Sequence, residues 1–395
     1  MKRLIQKIAR AFTIVLAGLL IITSLTGRSA MIQSAAAPQP AAETAEAATP
    51  IAPAPTAFFE PTRVAPSGAQ PFVVILCRFA DVQETWQTRA DFEKLLFGEA
   101  GVDAYWREAS YGQINLAGSK VVGWYTLPGG TAAYRMAGGA EVDLYRISAD
   151  CTAAADADVH FSDYFGIGMA FNEDLRVSPW GGEACLNLDG QSKCYGAFWL
   201  WPANSRNRAV TVHEMGHAFG LSHSIGANQE EFGDAWDVMS REGKWWPDPN
   251  YNPAPQHMIA YDKDLLGCIA AHRKFMAAAA TRATIILERL AQHGSAGYLM
   301  AQVPIAGSAE HFYTVEARRR IGFDATLPGD AVVIHEVDAD RETPAVLMSR
   351  AGEDDRIHAG SMWKVGQQFR DAAHGITVLV DAETETGFVV TILAD

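Results

Sequence analysis

The chain has 395 residues, of which 49% are hydrophobic and 20% charged, and it carries a formal net charge of −14. That length suits two or three domains, and the apolar share is enough for packed cores, so wholesale disorder is excluded. The sign of the charge argues against a free-standing binder of nucleic acid or of anionic membranes.

Residues 1–36 read as an export signal. Lys2, Arg3, Lys7 and Arg10 form a basic start, Ala11 to Leu25 are nearly all apolar, and Ser34-Ala35-Ala36-Ala37 offer a cleavage site. The apolar run falls short of the roughly 20 residues of a spanning helix, which makes an uncleaved anchor the second reading. No later segment is long and apolar enough to span. Residues 37–69, rich in Ala and Pro, read as an extended linker.

Ordered sequence begins near Gln70. Phe72–Phe79 predicts a buried strand. Arg89–Phe97 predicts a helix, with Phe92, Leu95 and Leu96 at helical spacing, and Val102–Ala109 a second. Ser110-Tyr111-Gly112-Gln113 leads into a predicted strand pair, Ile114–Ala117 with Val121–Thr126, and Glu141–Ala155 is another helix. The mixture predicts an α+β domain over residues 70–279, a twisted sheet with helices packed on it. Beyond it lie short β-type runs at Thr284–Leu290, Gly297–Ile305, His311–Ala317, Ala331–Val337, Ile376–Ala382 and Gly387–Leu393. Turn residues separate them, so residues 280–395 predict a C-terminal all-β sandwich, a stabilising module by default.

The five cysteines are Cys77, Cys151, Cys185, Cys194 and Cys268. Export permits disulfides. Cys185 and Cys194 flank a polar stretch that reads as a loop, which makes them the first candidate bridge. Cys151 with Cys268 is the second. Cys77 sits in a buried-strand pattern and reads as a small core residue. An odd count leaves at least one thiol unpaired within the chain.

The run that carries chemistry is His213-Glu214-Met215-Gly216-His217-Ala218-Phe219-Gly220-Leu221-Ser222-His223. Arg208–Val212 begins a helix, with Asn204 or Ser205 as the candidate cap. Positions four apart share a helix face, so His213 and His217 project to one point and can each reach a zinc ion at about 2.0–2.1 Å. Glu214 is offset around the helix and is placed to take a proton from a zinc-bound water. Gly220 can adopt a positive φ and end the helix, letting His223 swing back as third ligand. Three neutral imidazoles leave an open fourth position, the arrangement of a catalytic site. Average residue usage puts the chance occurrence of this spaced pattern at on the order of one in 10⁵ chains, which disposes of incidental surface histidines.

Downstream stands Phe232-Gly233-Asp234-Ala235-Trp236-Asp237-Val238-Met239-Ser240. The pattern resembles the metzincin superfamily of zinc peptidases, in which a methionine in a tight turn floors the histidines; the resemblance assigns that Met-turn place to Met239. Within the superfamily, Gly-Asp-x-x-Asp-Val-Met is similar to the gametolysin family. Ser110-Tyr111-Gly112-Gln113 and Gly123-Trp124-Tyr125-Thr126-Leu127-Pro128 are similar to the immune-inhibitor-A-like secreted peptidases. So are Tyr313–Arg318, Gly322-Phe323-Asp324 and Val332–Glu336. Two departures stand out: Ser240 where Gly is expected after the methionine, and no Asp or Glu following His223.

The resemblance implies a secreted zinc-dependent endopeptidase acting on extracellular proteins or glycoproteins. It also implies an extended substrate lying along an edge strand, for which Tyr195–Trp201 is the candidate. Two rivals share the same zinc site: an amidase or deacetylase on cell-wall or glycan material, and a non-catalytic secreted binding protein, against which Glu214 argues. Asp156, Asp158, Asp163 and Glu173 are candidate calcium ligands without EF-hand spacing. Asp234 and Asp237 are candidates to orient a ligand imidazole, with plain turn chemistry as the alternative. His160, His257, His272 and His293 read as surface or capping residues, and Tyr251 and Tyr261 are weak oxyanion candidates. Nothing in the sequence fixes the oligomeric state.

Overall fold

The computed structural model describes residues 65–395 except 137, 138, 140, 204, 241–254, 295, 296 and 351–357. The predicted export signal and nearly all of the linker lie outside the described residues, as do Asn204 and Tyr251. The fold is mixed α/β.

Strand β1 (Gly68–Ala69) precedes β2 (Phe72–Arg78), which is apolar almost throughout because both of its faces are covered. Phe72, Val74 and Leu76 enter one hydrophobic cluster, while Val73, Ile75 and Cys77 enter another, as strand alternation requires. Helix α1 (Arg89–Phe97) opens on a capping box between Thr88 and Asp91, and α2 (Val102–Ala109) follows. Next come β3 (Ile114–Asn115) and β4 (Lys120–Thr126). They do not pair with each other as expected. The Leu116–Ser119 turn throws the chain across the sheet, so β3 runs parallel to β1 and β4 parallel to β2. Helix α3 (Leu144–Ala155) starts later than predicted because Asp143 caps it, accepting from the Arg146 amide at 2.9 Å.

Then follow β5 (Gly166–Phe171), β6 (Trp180–Leu188), β7 (Gln191–Leu200) and α4 (Arg208–Ala218). The sheet order is β4-β2-β5-β7-β6, parallel except for β6. This corrects the edge assignment: Tyr195–Leu200 lies in the interior strand β7, with Trp201 just past its end, and the edge on this side of the sheet is β6. The cause is a tight hairpin. Asp189 and Gly190 both take positive φ, 53° and 71°, and fold β6 back onto β7. The stretch expected to be a loop between Cys185 and Cys194 is therefore that hairpin, and the two cysteines face each other across it and are bridged.

The second disulfide joins Cys77 to Cys151, and Cys268 is the free, buried thiol. Strand alternation turns Cys77 toward α3, where Cys151 sits in the same cluster, so Cys77 is not an unpaired core thiol and Cys151 does not pair with Cys268. Peptide mapping without reduction should recover both bridged pairs, with Cys268 alkylated only after unfolding. A bridge that includes Cys268 in correctly folded protein would refute this pairing.

Beyond the helix lie β8 (Ser224–Ile225), α5 (Ala260–Leu265), β9 (Lys274–Met276), β10 (Thr281–Glu288), β11 (Met300–Pro304) and β12 (His311–Arg318). They are followed by β13 (Ala331–Asp338), β14 (Ala345–Leu347), β15 (Gln368–Asp371), β16 (Ile376–Glu383) and β17 (Gly387–Ala394). One sheet has the order β10-β17-β16-β15, the other β8-β14-β13-β12-β11-β9. A single hydrophobic cluster takes Ile285, Val378 and Val390 from the first and Val303, Val315 and Ile334 from the second. Strand β8, directly after the histidine motif, is the terminal strand of the second sheet.

Candidate metal centre

Helix α4 lies on β6 and β7 because glycines let it approach. A Cβ on Gly181 would run into the backbone carbonyl of Glu214, and one on Gly196 would lie 2.8 Å from the Ala218 carbonyl oxygen. The cap is Asn207, whose side chain accepts from the Val210 amide at 3.2 Å. It replaces the expected Ser205, whose hydroxyl donates to Gln87 instead.

The helix ends as the sequence predicts. Gly220 has φ 93°, its amide donates to the His217 carbonyl, and the Leu221 amide donates to the Gly216 carbonyl. This is a Schellman ending, and it turns the chain so that His223 comes back to the helix. The Nε2 atoms of His213, His217 and His223 lie 3.0–3.2 Å from one another. Nitrogens held tetrahedrally at about 2.0–2.1 Å from a metal are roughly 3.3–3.4 Å apart, so the triangle fits a zinc ion.

Hydrogen bonding fixes the tautomers to match. His213 Nδ1 donates to the Val238 carbonyl at 2.8 Å, and His217 Nδ1 to the Leu221 carbonyl at 2.7 Å. A carbonyl can only accept, so each Nδ1 carries the proton and each Nε2 presents its lone pair inward. Burial, and then the neighbouring His213 and His223, push the His217 imidazole down to about 3, which keeps it neutral. Phe232 stands edge-on to the His223 ring at 4.9 Å.

Met239 is fully buried, and its sulfur fills the space a Cβ on Gly216 would occupy, between the two helical histidines. Asp237 shapes its turn, with Oδ1 accepting from the Met239 amide at 3.1 Å. Backbone carbonyls orient His213 and His217, and Asp234 shows the turn chemistry that was the alternative, its Oδ1 accepting from the Trp236 amide at 2.8 Å. Asp234 Oδ2 instead lies 2.8 Å from His335 Nε2 on β13, and Asp237 Oδ2 accepts from Ser224 at 2.6 Å. Burial opposes a proton on His335, but Asp234 beside it lifts the ring above its usual range.

The three Nε2 atoms and Glu214 open into a cleft of about 890 Å³, lined also by Trp180 and Gly181 of the edge strand. Glu214 is itself buried. Neither edge residue was a predicted site residue, although the Trp-Gly-Gly run is a legible sign of close backbone approach. Among the described residues the only other ligating group is Glu183 with the bridged Cys185 and Cys194. Asp156, Asp158, Asp163 and Glu173 are not gathered into a calcium site: Asp158 accepts from Tyr125 and Asp163 faces His160. His257 is buried between Glu108 and Lys263, His293 packs on Tyr111, and Tyr261 packs on Phe312.

A profile of the gametolysin peptidase M11 family matches residues 82–347. Its span runs from the segment after β2 to the last residue of β14, and so takes in α4, the three histidines and Met239. A search of curated proteins returns no match.

Proposed function

Since the chain belongs to the gametolysin M11 family of metallopeptidases, we propose that it is an exported zinc-dependent endopeptidase. His213, His217 and His223 would hold the metal, and Glu214 would act as general base. The observation that carries this reading is the convergence of three Nε2 lone pairs, two fixed by Nδ1 bonds to carbonyls, in the cleft that also holds Glu214. A zinc ion bound there supplies Lewis acidity, lowering the pKa of water to about 7 and polarising a carbonyl.

The chain's own residues do the rest. The free edge of β6 takes an extended peptide as an added strand, through main-chain bonds that ask little of its sequence. Gly181 keeps that edge close to Glu214. The Glu214 carboxylate accepts the proton shed by the attacking water and delivers it to the leaving amine nitrogen. Met239 and the carbonyls of Val238 and Leu221 hold the imidazoles in place, so the site is pre-formed rather than gathered on binding. The same groups would serve amide hydrolysis in glycan material, but the family is one of peptidases.

Two disulfides suit an oxidising, extracellular setting, and no helix among the described residues is long and apolar enough to cross a membrane. In this reading the strands from β9 onward form a two-sheet sandwich, supported by the cluster that draws on both sheets.

The test is metal content together with cleavage. Purified protein should carry about one zinc per chain, cleave a denatured protein substrate, and lose both properties to a chelator or to His217→Ala. Cleavage that is indifferent to the chelator, or zinc kept by a His213/His217/His223 triple alanine variant, would overturn the assignment.

A further inference from the structure

The cleft has a contributor that the histidines and Glu214 do not require. Glu342 and Thr343 line it together with Ser222 and His223. Both come from the loop between β13 and β14, far along the chain from the histidine motif. The register explains their arrival. Ala345 pairs with Ser224 and Val346 with Ile225, in parallel. The residues before Ala345 therefore run beside those before Ser224, which are Ser222 and His223.

The loop is pinned. Arg341 Nη2 donates to Glu336 Oε1 at 2.9 Å, and its Nε lies 3.1 Å from Asp338 Oδ2. The Asp338 amide donates to the Pro344 carbonyl, and the Ala339 amide to the Glu310 carbonyl. With Arg341 engaged on its own hairpin, Glu342 is the loop's charge in the cleft. It is exposed, and no ion pair or hydrogen bond of its side chain is recorded among the described residues. The charges that line the cleft from the β5–β6 segment are Asp174 and Arg176, and Asp174 caps the Arg176 amide.

We propose that Glu342 is a specificity-determining residue, selecting peptides that place a lysine or arginine side chain on the His223 side of the cleft. The inference rests on the peptidase reading. A carboxylate carried at the rim of the cleft by a pinned loop attracts a cationic side chain and rejects an anionic one, and the rejection contributes to selectivity as well as the attraction.

The experiment uses matched peptides in which one position at a time carries Lys, Gln or Glu. At one position the wild type should favour Lys over Glu in kcat/KM by on the order of tenfold, the combined effect of one gained pair and one repulsion at a partly exposed site. Glu342→Gln should level that preference and Glu342→Lys invert it. Binding of the same peptides to the Glu214→Gln variant, read by fluorescence anisotropy, should follow the same order without turnover. Glu385→Lys makes the same charge change at an exposed turn outside the cleft and should leave the preference standing. The proposal falls if the wild type shows no preference, if Glu342→Lys leaves the preference unmoved, or if Glu385→Lys moves it equally, since that marks the field of the whole protein. A wild type that cuts none of the peptides removes the peptidase reading and this inference with it, whereas cleavage with an unmoved preference removes the inference alone.

Discussion

Glu214→Gln is expected to keep the fold and the metal and to lose peptide cleavage by on the order of 10²–10⁴ in rate. The carboxamide is nearly isosteric with the carboxylate, and the neighbouring Gly181 backbone contact involves the main chain of residue 214, which the change does not touch. His213 and His217 are held by backbone carbonyls and His223 packs on Phe232, none of which the change touches, so metal ligation should survive. What disappears is a basic oxygen able to take a proton from water and return it to nitrogen. The change therefore separates two readings of the same cleft. A protein that keeps zinc only for structure would be indifferent to it, while a hydrolase would be crippled. Single-turnover cleavage of a denatured substrate, with zinc measured on the same sample, decides. Near wild-type cleavage with zinc retained would put the proton acceptor elsewhere.

The largest effect on stability is expected from Arg318→Leu. Arg318 is fully buried on β12 and is the hub of the polar layer under the Met239 turn. Its guanidinium donates to Asp324 at 2.7 and 2.9 Å, to Glu316 at 3.0 Å, and to the carbonyls of Trp236 and His257. Removing it leaves two buried carboxylates and two carbonyls short of partners, a loss of about 3–5 kcal/mol. The sign with pH follows from Asp324. Burial pulls its pKa up, but Arg318 overrides this and holds the carboxyl below its ordinary value. Its contribution is thus present above the unfolded pKa near 4 and lost as pH falls through the lower folded value. In the variant the carboxyl is free to take a proton, so the gap between the two proteins should narrow as pH drops below about 4. Urea unfolding at several pH values measures this; a difference under about 1 kcal/mol at neutral pH would show that the guanidinium does not hold the layer together.

The convergence of the three histidines was legible in the sequence because it is local. His213, Glu214, His217, Gly220 and His223 sit within three turns of one another, and helix periodicity plus one positive-φ glycine is enough to bring them together. The helices Arg89–Phe97 and Val102–Ala109 were readable for the same reason. What failed depended on partners distant along the chain. Cys77 read as an inert core residue because strand alternation alone does not say that α3 will cover that face with Cys151. Tyr195–Trp201 read as an edge because an apolar strand does not reveal that the hairpin at Asp189-Gly190 places β6 outside it. Asp234 and Asp237 stood open between the histidines and their own turn; they close the turn and also reach His335 and Ser224, while His213 and His217 took backbone carbonyls that leave no trace in residue identity. The loop carrying Glu342 reaches the cleft only through the β8–β14 register, which no local pattern encodes.

The pairing of β8 with β14 also sets an order in time. A nascent chain synthesised as far as His223 already contains the three histidines and Glu214. Yet the strand that follows this histidine finds only the single bridge from Ile225 to Glu231 close by; its ladder partner is β14, which must itself be laid beside β13. Contacts so far apart in sequence form late, after the loop-closure entropy of the intervening chain has been overcome. Helix α4 and its turn at Gly220 can thus form early, while the strand that follows His223 takes its place in the second sheet only when the distant strands have folded. Under the proposed function, hydrolytic competence is in this way tied to completion of the fold.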